Sequence, residues 1–211
     1  MKKTLLVFAL SSIFKLTIAQ SPFMYDIDVS QNLDTFHVNL KVNQTIKKKN
    51  NIFQFPATAP GTYQTMNIGR LVSDFKAFDK SGKAIETALL STNQYKIKSP
   101  KKVKSISYKV AETFDTKLEI LPIYMMAGST IRANNTLINP HTVCGFFKGK
   151  QNEAYGIHLK NPNGWATGTA MPIKEGYFYA SDYDELVDSP ILSGNLTYAE
   201  TYVGKTKIRL Y

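Results

Sequence analysis

Apolar and polar residues alternate along much of this chain. Phe36, Val38, Leu40 and Val42 alternate with His37, Asn39, Lys41 and Asn43, a period of two that turns one row of side chains inward and the other to water. Ile106, Tyr108 and Val110 alternate in the same way with Ser105, Ser107 and Lys109, and Tyr155, Ile157 and Leu159 with Gly156, His158 and Lys160. Shorter strands are expected at Ile52–Phe55, Leu71–Phe78, Gln94–Ile97 and Tyr177–Tyr179. Turn chemistry separates them: Asp79-Lys80-Ser81-Gly82, Ser99-Pro100 and Asn161-Pro162-Asn163-Gly164. No window of a dozen residues keeps a helical period. The pattern predicts an all-β fold, mostly an antiparallel β-sandwich with at most short helical turns.

The first residues follow a different rule. Lys2-Lys3, the apolar run Leu5 to Leu10 with Ile13-Phe14, and Thr17-Ile18-Ala19 read as a signal peptide over residues 1–19, cut before Gln20. The expectation is therefore a secreted or periplasmic protein whose β-sandwich occupies residues 20–211, with no membrane span once the leader is gone. A leader that carries away Lys2, Lys3 and Lys15 lowers the formal charge of +10 by three. The remaining lysines cluster at Lys47-Lys48-Lys49 and around Pro100, in turns and at strand edges, where lysine discourages sheet-to-sheet pairing. No recognition helix or RNA-binding motif accompanies them, so nucleic acid is not an expected partner. Cys144 is the only cysteine. It permits no internal disulfide and reads as a small buried apolar residue.

Few residues offer chemistry. His37, His141 and His158 include no pair spaced i, i+4, and His141 with Cys144 supplies two candidate ligands, too few for a zinc site. There is no Gly-x-Ser-x-Gly elbow and no glycine-rich phosphate loop. Asp182, Asp184, Glu185 and Asp188 form the one acidic cluster. Their number suits calcium, but their spacing is not that of an EF-hand loop. The favoured alternative is a short helical turn capped by Ser181, with Asp184 at the third position. Three sequons, at Asn43, Asn134 and Asn195, are near the chance expectation for a chain this rich in Asn and Thr.

Two segments carry a resemblance. Phe55-Pro56-Ala57-Thr58-Ala59-Pro60-Gly61-Thr62-Tyr63 precedes Gly69-Arg70-Leu71-Val72-Ser73-Asp74-Phe75, and Ala180-Ser-Asp-Tyr-Asp-Glu-Leu-Val-Asp-Ser-Pro-Ile-Leu-Ser-Gly194 lies near the end. With Asn93–Ile97 and Pro162-Asn163-Gly164-Trp165 between them, they resemble the N-terminal β domain of the glycyl-aminopeptidase family, metallopeptidase family 61. Pro56, Pro60, Gly61 and Tyr63 fit the family's pattern, while Thr58 stands where tryptophan is common.

The resemblance implies a zinc aminopeptidase whose N-terminal domain packs against a catalytic domain and helps wall its cleft. The catalytic H-E-x-x-H is absent from these 211 residues, so no catalytic or metal residue is assigned, and zinc is expected only in a catalytic domain outside this chain. The family-motif residues Pro60, Gly61, Tyr63, Asp182, Tyr183, Asp184, Asp188, Ser189 and Pro190 are expected to be structural or to lie at the domain interface. Three origins stay open: a split or truncated product with a separately encoded catalytic domain, a free-standing module that binds a peptide or protein, or an enzyme of another kind. The strand-like ending Thr206–Tyr211 favours the first.

Overall fold

The computed structural model describes residues 21–31, 34–117 and 121–211; the leader expected at 1–19 lies outside them. Their order is β1 (Phe23–Asp28), β2 (Thr35–Val42), β3 (Ile52–Gln54), β4 (Val72–Phe78), β5 (Ala84–Ile85), β6 (Thr87–Ser91), β7 (Gln94–Ile97) and β8 (Ser105–Ala111). Next come β9 (Thr130–Ile131), β10 (Asn135–Ile138), α1 (Pro140–Val143), β11 (Phe146–Phe147), β12 (Tyr155–Lys160), β13 (Ala166–Gly168) and β14 (Ile173–Lys174). The last are β15 (Tyr177–Ala180), α2 (Tyr183–Val187), β16 (Ile191–Gly194), β17 (Ala199–Val203) and β18 (Thr206–Leu210). The protein is all-β, as the alternation predicts.

An eight-stranded sheet in the order β14-β15-β12-β1-β2-β8-β4-β5 forms one layer. Two four-stranded sheets, β11-β3-β7-β6 and β13-β16-β10-β9, complete the body, and among the described residues β17 pairs only with β18. Pairing among the described residues is antiparallel except at β1 and β12, which run parallel from Phe23↔Tyr155 to Asp28↔Lys160. In β4 the register shifts between Ser73 and Lys76, where Asp74 takes φ +54°, the local twist of a β-bulge.

The core is aromatic. Phe53 of the smaller sheet meets Phe147 edge-on at 5.2 Å and lies 6.1 Å from Tyr108 of the large sheet. Phe55 meets Tyr108 edge-on at 5.0 Å, and Phe23 stacks on Tyr155 at 5.2 Å. These rings are buried, and each contributes roughly 1.5–3 kcal/mol of transfer free energy. The outer face of the large sheet carries the polar half of each alternation. Cross-strand ion pairs join Lys41 to Asp26, Lys160 to Asp28 and Lys109 to Asp74, each at 2.8 Å. His37 and His158 lie on this face, His158 within 3.1 Å of Asp26.

The parallel pair sits within a mostly antiparallel sandwich, and His141 lies on a single buried helical turn, α1. One expectation needs correction. The helix at the acidic cluster is capped one residue later than expected: Asp182 Oδ1 accepts the Glu185 amide at 2.8 Å, and Glu185 Oε2 accepts the amide and hydroxyl of Ser181, each at 2.6 Å. Asp182 has the extended backbone (φ −155°) that an N-cap needs, so its carboxylate reaches the third amide and Ser181 becomes the partner of Glu185. This use of the carboxylates in capping matches the helix reading of the cluster.

Candidate functional site

The segment after β3 doubles back on itself. The amides of Met66 and Asn67 donate to the Ala57 carbonyl at 2.6 and 2.9 Å, and the Ile68 amide to Pro56 at 3.0 Å. Inside this loop the Thr62 amide closes on the Ala59 carbonyl at 3.2 Å, with Gly61 at φ +77°. That is the type II turn predicted by Pro60-Gly61: proline presets the first central residue, and glycine accepts the positive φ of the second. Tyr63 follows at φ +51°, fully exposed.

Helix α2 approaches this loop from the other end of the chain. Pro56, Pro60 and Gln54 face Tyr183, Asp184 and Val187 across a depression of about 340 Å³. Beside it, a smaller one of about 230 Å³ lies among Gly61, Thr62, Tyr124, Met126, Asp188 and Pro190. Ala59, Pro60, His141 and Val187 line both. Two segments more than a hundred residues apart in sequence thus share one surface, with His141 at its base.

His141 is fixed there. Its Nε2 lies 2.9 Å from the Ala127 carbonyl. Burial pushes the imidazole below its ordinary pKa, outweighing the carbonyls of Ala127 and Val187 and the Asp188 carboxylate, which favour the charged form. The three consecutive carbonyls from Val143 to Gly145 are held by tyrosines: Tyr108 Oη donates to Val143 at 2.9 Å, and Tyr183 and Tyr25 donate to Cys144 and Gly145. Cys144 is buried, and burial raises its thiol pKa far above the ordinary range. It is inert to chemistry that needs a thiolate.

The rim is apolar and exposed. Met125 is 64% and Met126 78% exposed, with Leu121 and Tyr124 beside them. Gln64 clasps this rim to the motif loop: its Nε2 donates to the Pro122 carbonyl at 2.6 Å, and its Oε1 accepts the Tyr124 amide at 3.0 Å. Beneath the rim, Asn139 Nδ2 donates to the Gly128 carbonyl at 2.5 Å, and the hydroxyls of Ser129 and Thr142 lie 2.5 Å apart. The exposed methionines therefore stand on a hydrogen-bonded base.

Of the residues picked from sequence, Pro60, Gly61, Tyr183, Asp184, Asp188 and Pro190 line the two depressions. Asp182 caps α2, and Ser189 is buried with its hydroxyl donating to the Glu185 carbonyl at 2.8 Å. Tyr63 lines neither depression. Sequence reading passed over Gln64, Tyr124 and the methionine pair; the available signal was Met125-Met126, apolar residues outside any alternating segment. The donor set does not suit zinc: among the described residues no three His, Cys, Asp or Glu side chains converge. The surface offers an apolar rim beside polar lining groups, a make-up suited to docking.

The family model described as the peptidase M61 N-terminal domain matches residues 24–195. No curated protein matches the sequence. Among solved structures, an aminopeptidase N family protein from Idiomarina loihiensis superposes with a TM-score of 0.75 at 23% identity, covering 89% of this chain and 32% of that one. The M1 zinc metallopeptidase of Deinococcus radiodurans gives a TM-score of 0.44 at 7% identity, over 89% of this chain and 45% of that one. The chain thus spans about a third of the length of the first of these proteins.

Proposed function

Because this chain belongs to the peptidase M61 N-terminal domain family, we propose that it is the non-catalytic β domain of an exported glycyl-aminopeptidase-type metallopeptidase. In this reading the surface around Pro60, Met126, His141 and Val187 packs against a zinc-bearing catalytic domain and shapes the edge of its cleft. The observation that carries it is the meeting of the two motif segments on one face, next to exposed methionines on a rigid base. Exposed aromatic and methionine side chains gathered on one surface are the usual make-up of an interface core. Lys2-Lys3 and the apolar run behind them support export, and N-terminal sequencing of the protein recovered outside the cytoplasm should begin at Gln20.

The test is a titration of this chain with the metallopeptidase catalytic domain encoded in the same genome. A one-to-one complex is expected, weakened about tenfold or more by Met125→Lys with Met126→Lys. Failure to form a complex at about 100 μM, roughly −5.5 kcal/mol, or chelator-insensitive aminopeptidase activity from the pure chain, overturns the reading.

A second reading, a free-standing module that binds a peptide or protein, draws on the depression between Pro60 and Tyr183. Gln54, Gln151 and Asp184 line it; the glutamine oxygens already accept from Gln94 and the Gly149 amide, so an extended backbone would meet their side-chain N–H groups and the Asp184 carboxylate. It predicts peptide binding that Val187→Arg abolishes, with no need of a catalytic partner.

A further inference from the structure

Three lysines on the outer face of the large sheet are neutralised across strands, Lys41 by Asp26, Lys109 by Asp74 and Lys160 by Asp28. Another group is left uncompensated. The helical turns Lys48–Asn50 and Pro100–Lys102 lie against each other, and buried Asn50 ties the first of them to a third segment. Asn50 Nδ2 donates to the Lys148 carbonyl and the Asn50 amide to that of Lys47, each at 2.9 Å. In the second turn the Lys102 amide closes on the Ser99 carbonyl at 3.0 Å. Lys47, Lys48, Lys49, Lys101, Lys102 and Lys148, drawn from three distant stretches of sequence, are thereby gathered on one part of the surface, all exposed.

Among the described residues no carboxylate pairs with any of these lysines. Asp79 lies within electrostatic reach of Lys102, but its carboxylate is engaged by the amide and hydroxyl of Ser81 and the Lys83 amide. Protection of strand edges, the role expected from sequence, does not account for the cluster. Lys47 to Lys49, Lys101 and Lys102 belong to helical turns or lead into one, and of the group only Lys148, just past the edge strand β11, stands beside an open edge. Like charges held side by side repel, and an anion that covers them relieves the repulsion.

The kind of anion follows from the shape of the patch and from its residues. The lysines line neither depression beside Pro60, nor the hollow on the outer face of the large sheet, whereas a single-stranded polyanion is held in a groove that tracks its backbone. No arginine is among them, so there is no planar fork to clasp one phosphate. Lysines are hydrated point charges on flexible stems, suited to many dispersed headgroups at once. We propose that this patch binds an anionic lipid surface, its ammonium groups resting among the phosphates and no part of the chain entering the hydrocarbon. Each lysine near such a surface strengthens attachment about fivefold, and salt screens the attraction. The attachment requires neither a catalytic partner nor the surface around Pro60.

The experiment is sedimentation of the protein recovered outside the cytoplasm with vesicles of equal parts phosphatidylcholine and phosphatidylglycerol, and with vesicles of phosphatidylcholine alone. Wild type is compared with Lys48→Gln/Lys49→Gln/Lys101→Gln/Lys102→Gln. A second variant, Lys76→Gln/Lys117→Gln/Lys174→Gln/Lys205→Gln, removes the same charge from exposed lysines elsewhere. Both should keep the wild-type thermal midpoint within a few degrees, since only exposed side chains change. Wild type should bind the mixed vesicles alone and leave them at about 1 M salt. The patch variant should bind about a hundredfold or more weakly, and the second variant no more than a few-fold. Binding to the neutral vesicles, equal losses in both variants, or no binding by wild type overturns the proposal. Capture by soluble heparin that the patch variant loses, with no vesicle binding, assigns the patch to an acidic polysaccharide and overturns it as well.

Discussion

The hydroxyl of Tyr108 donates a 2.9 Å hydrogen bond to the carbonyl of Val143 and accepts the Gly145 amide at 3.3 Å. One core residue of β8 thereby satisfies two backbone groups of the turn after α1, where no sheet partner reaches them. Tyr108→Phe keeps the ring and strands both groups in an apolar interior. A loss of about 2–3 kcal/mol is expected, read as a lower urea midpoint at unchanged slope. A variant as stable as wild type would mean that water replaces the hydroxyl.

Gly69 admits no side chain for a different reason. A β-carbon at this position would fall 1.9 Å from the Thr92 carbonyl oxygen and 2.7 Å from Asn93 Cα, and backbone cannot rotate away as a side chain can. Gly69→Ala should cost roughly 1–3 kcal/mol and disturb the Asn93 side chain, whose Oδ1 accepts the Gly69 amide at 2.9 Å. Thermal unfolding of the alanine variant checks this.

Acid acts through two groups in separate ranges. Burial keeps His141 neutral when folded, below its ordinary pKa. The unfolded chain therefore binds the proton first, and stability declines as pH falls beneath about 6.5. His141→Gln should flatten that part of the stability curve. Asp28 is partly desolvated, yet Lys160 and the Ser30 amide and hydroxyl draw its carboxyl down from 3.8 to about 2. Its contribution is complete above the ordinary carboxylate pKa and disappears as pH falls from near 4 towards 2. Asp28→Asn should lower stability by a constant amount above that range, leaving the slope of the neutral limb unchanged, and flatten the acid dependence between about 4 and 2. Urea midpoints at several pH values separate the two.

The buried Cys144 thiol should resist iodoacetamide in the native protein and react once denaturant unfolds it. Alkylation at the same rate in both states would place the thiol within reach of solvent.

What the sequence disclosed depended on how long each alternating run is. β2, β8 and β12 span six to eight residues, and their inward and outward rows were legible because a period of two repeats several times. β7 was found within its bounds as a short run closed by Ser99-Pro100. β9, β11 and β14 have two residues each; only their pairing, with β10, β3 and β15, defines them, and two residues are too few to show a period of two. β1 carried a readable signal in Phe23, Tyr25 and Ile27 against Asp26 and Asp28, but it was overlooked beside the leader and interrupted by the buried Met24. The Pro60-Gly61 turn followed from residue chemistry alone. The meeting of that turn with α2 did not, because it depends on how the sheets stack.

The parallel pairing of β1 with β12 joins residues 132 positions apart, as Asp28 and Lys160 attest. Until the last third of the chain is available, β1 has an open edge, and the large sheet cannot pass its middle. Closing so long a loop is slow, since its entropy is lost before the contacts that reward it form. Folding of this domain is thus timed by the arrival of Tyr155–Lys160, and a chain cut before Tyr155 should expose β1 as a template for association with other chains.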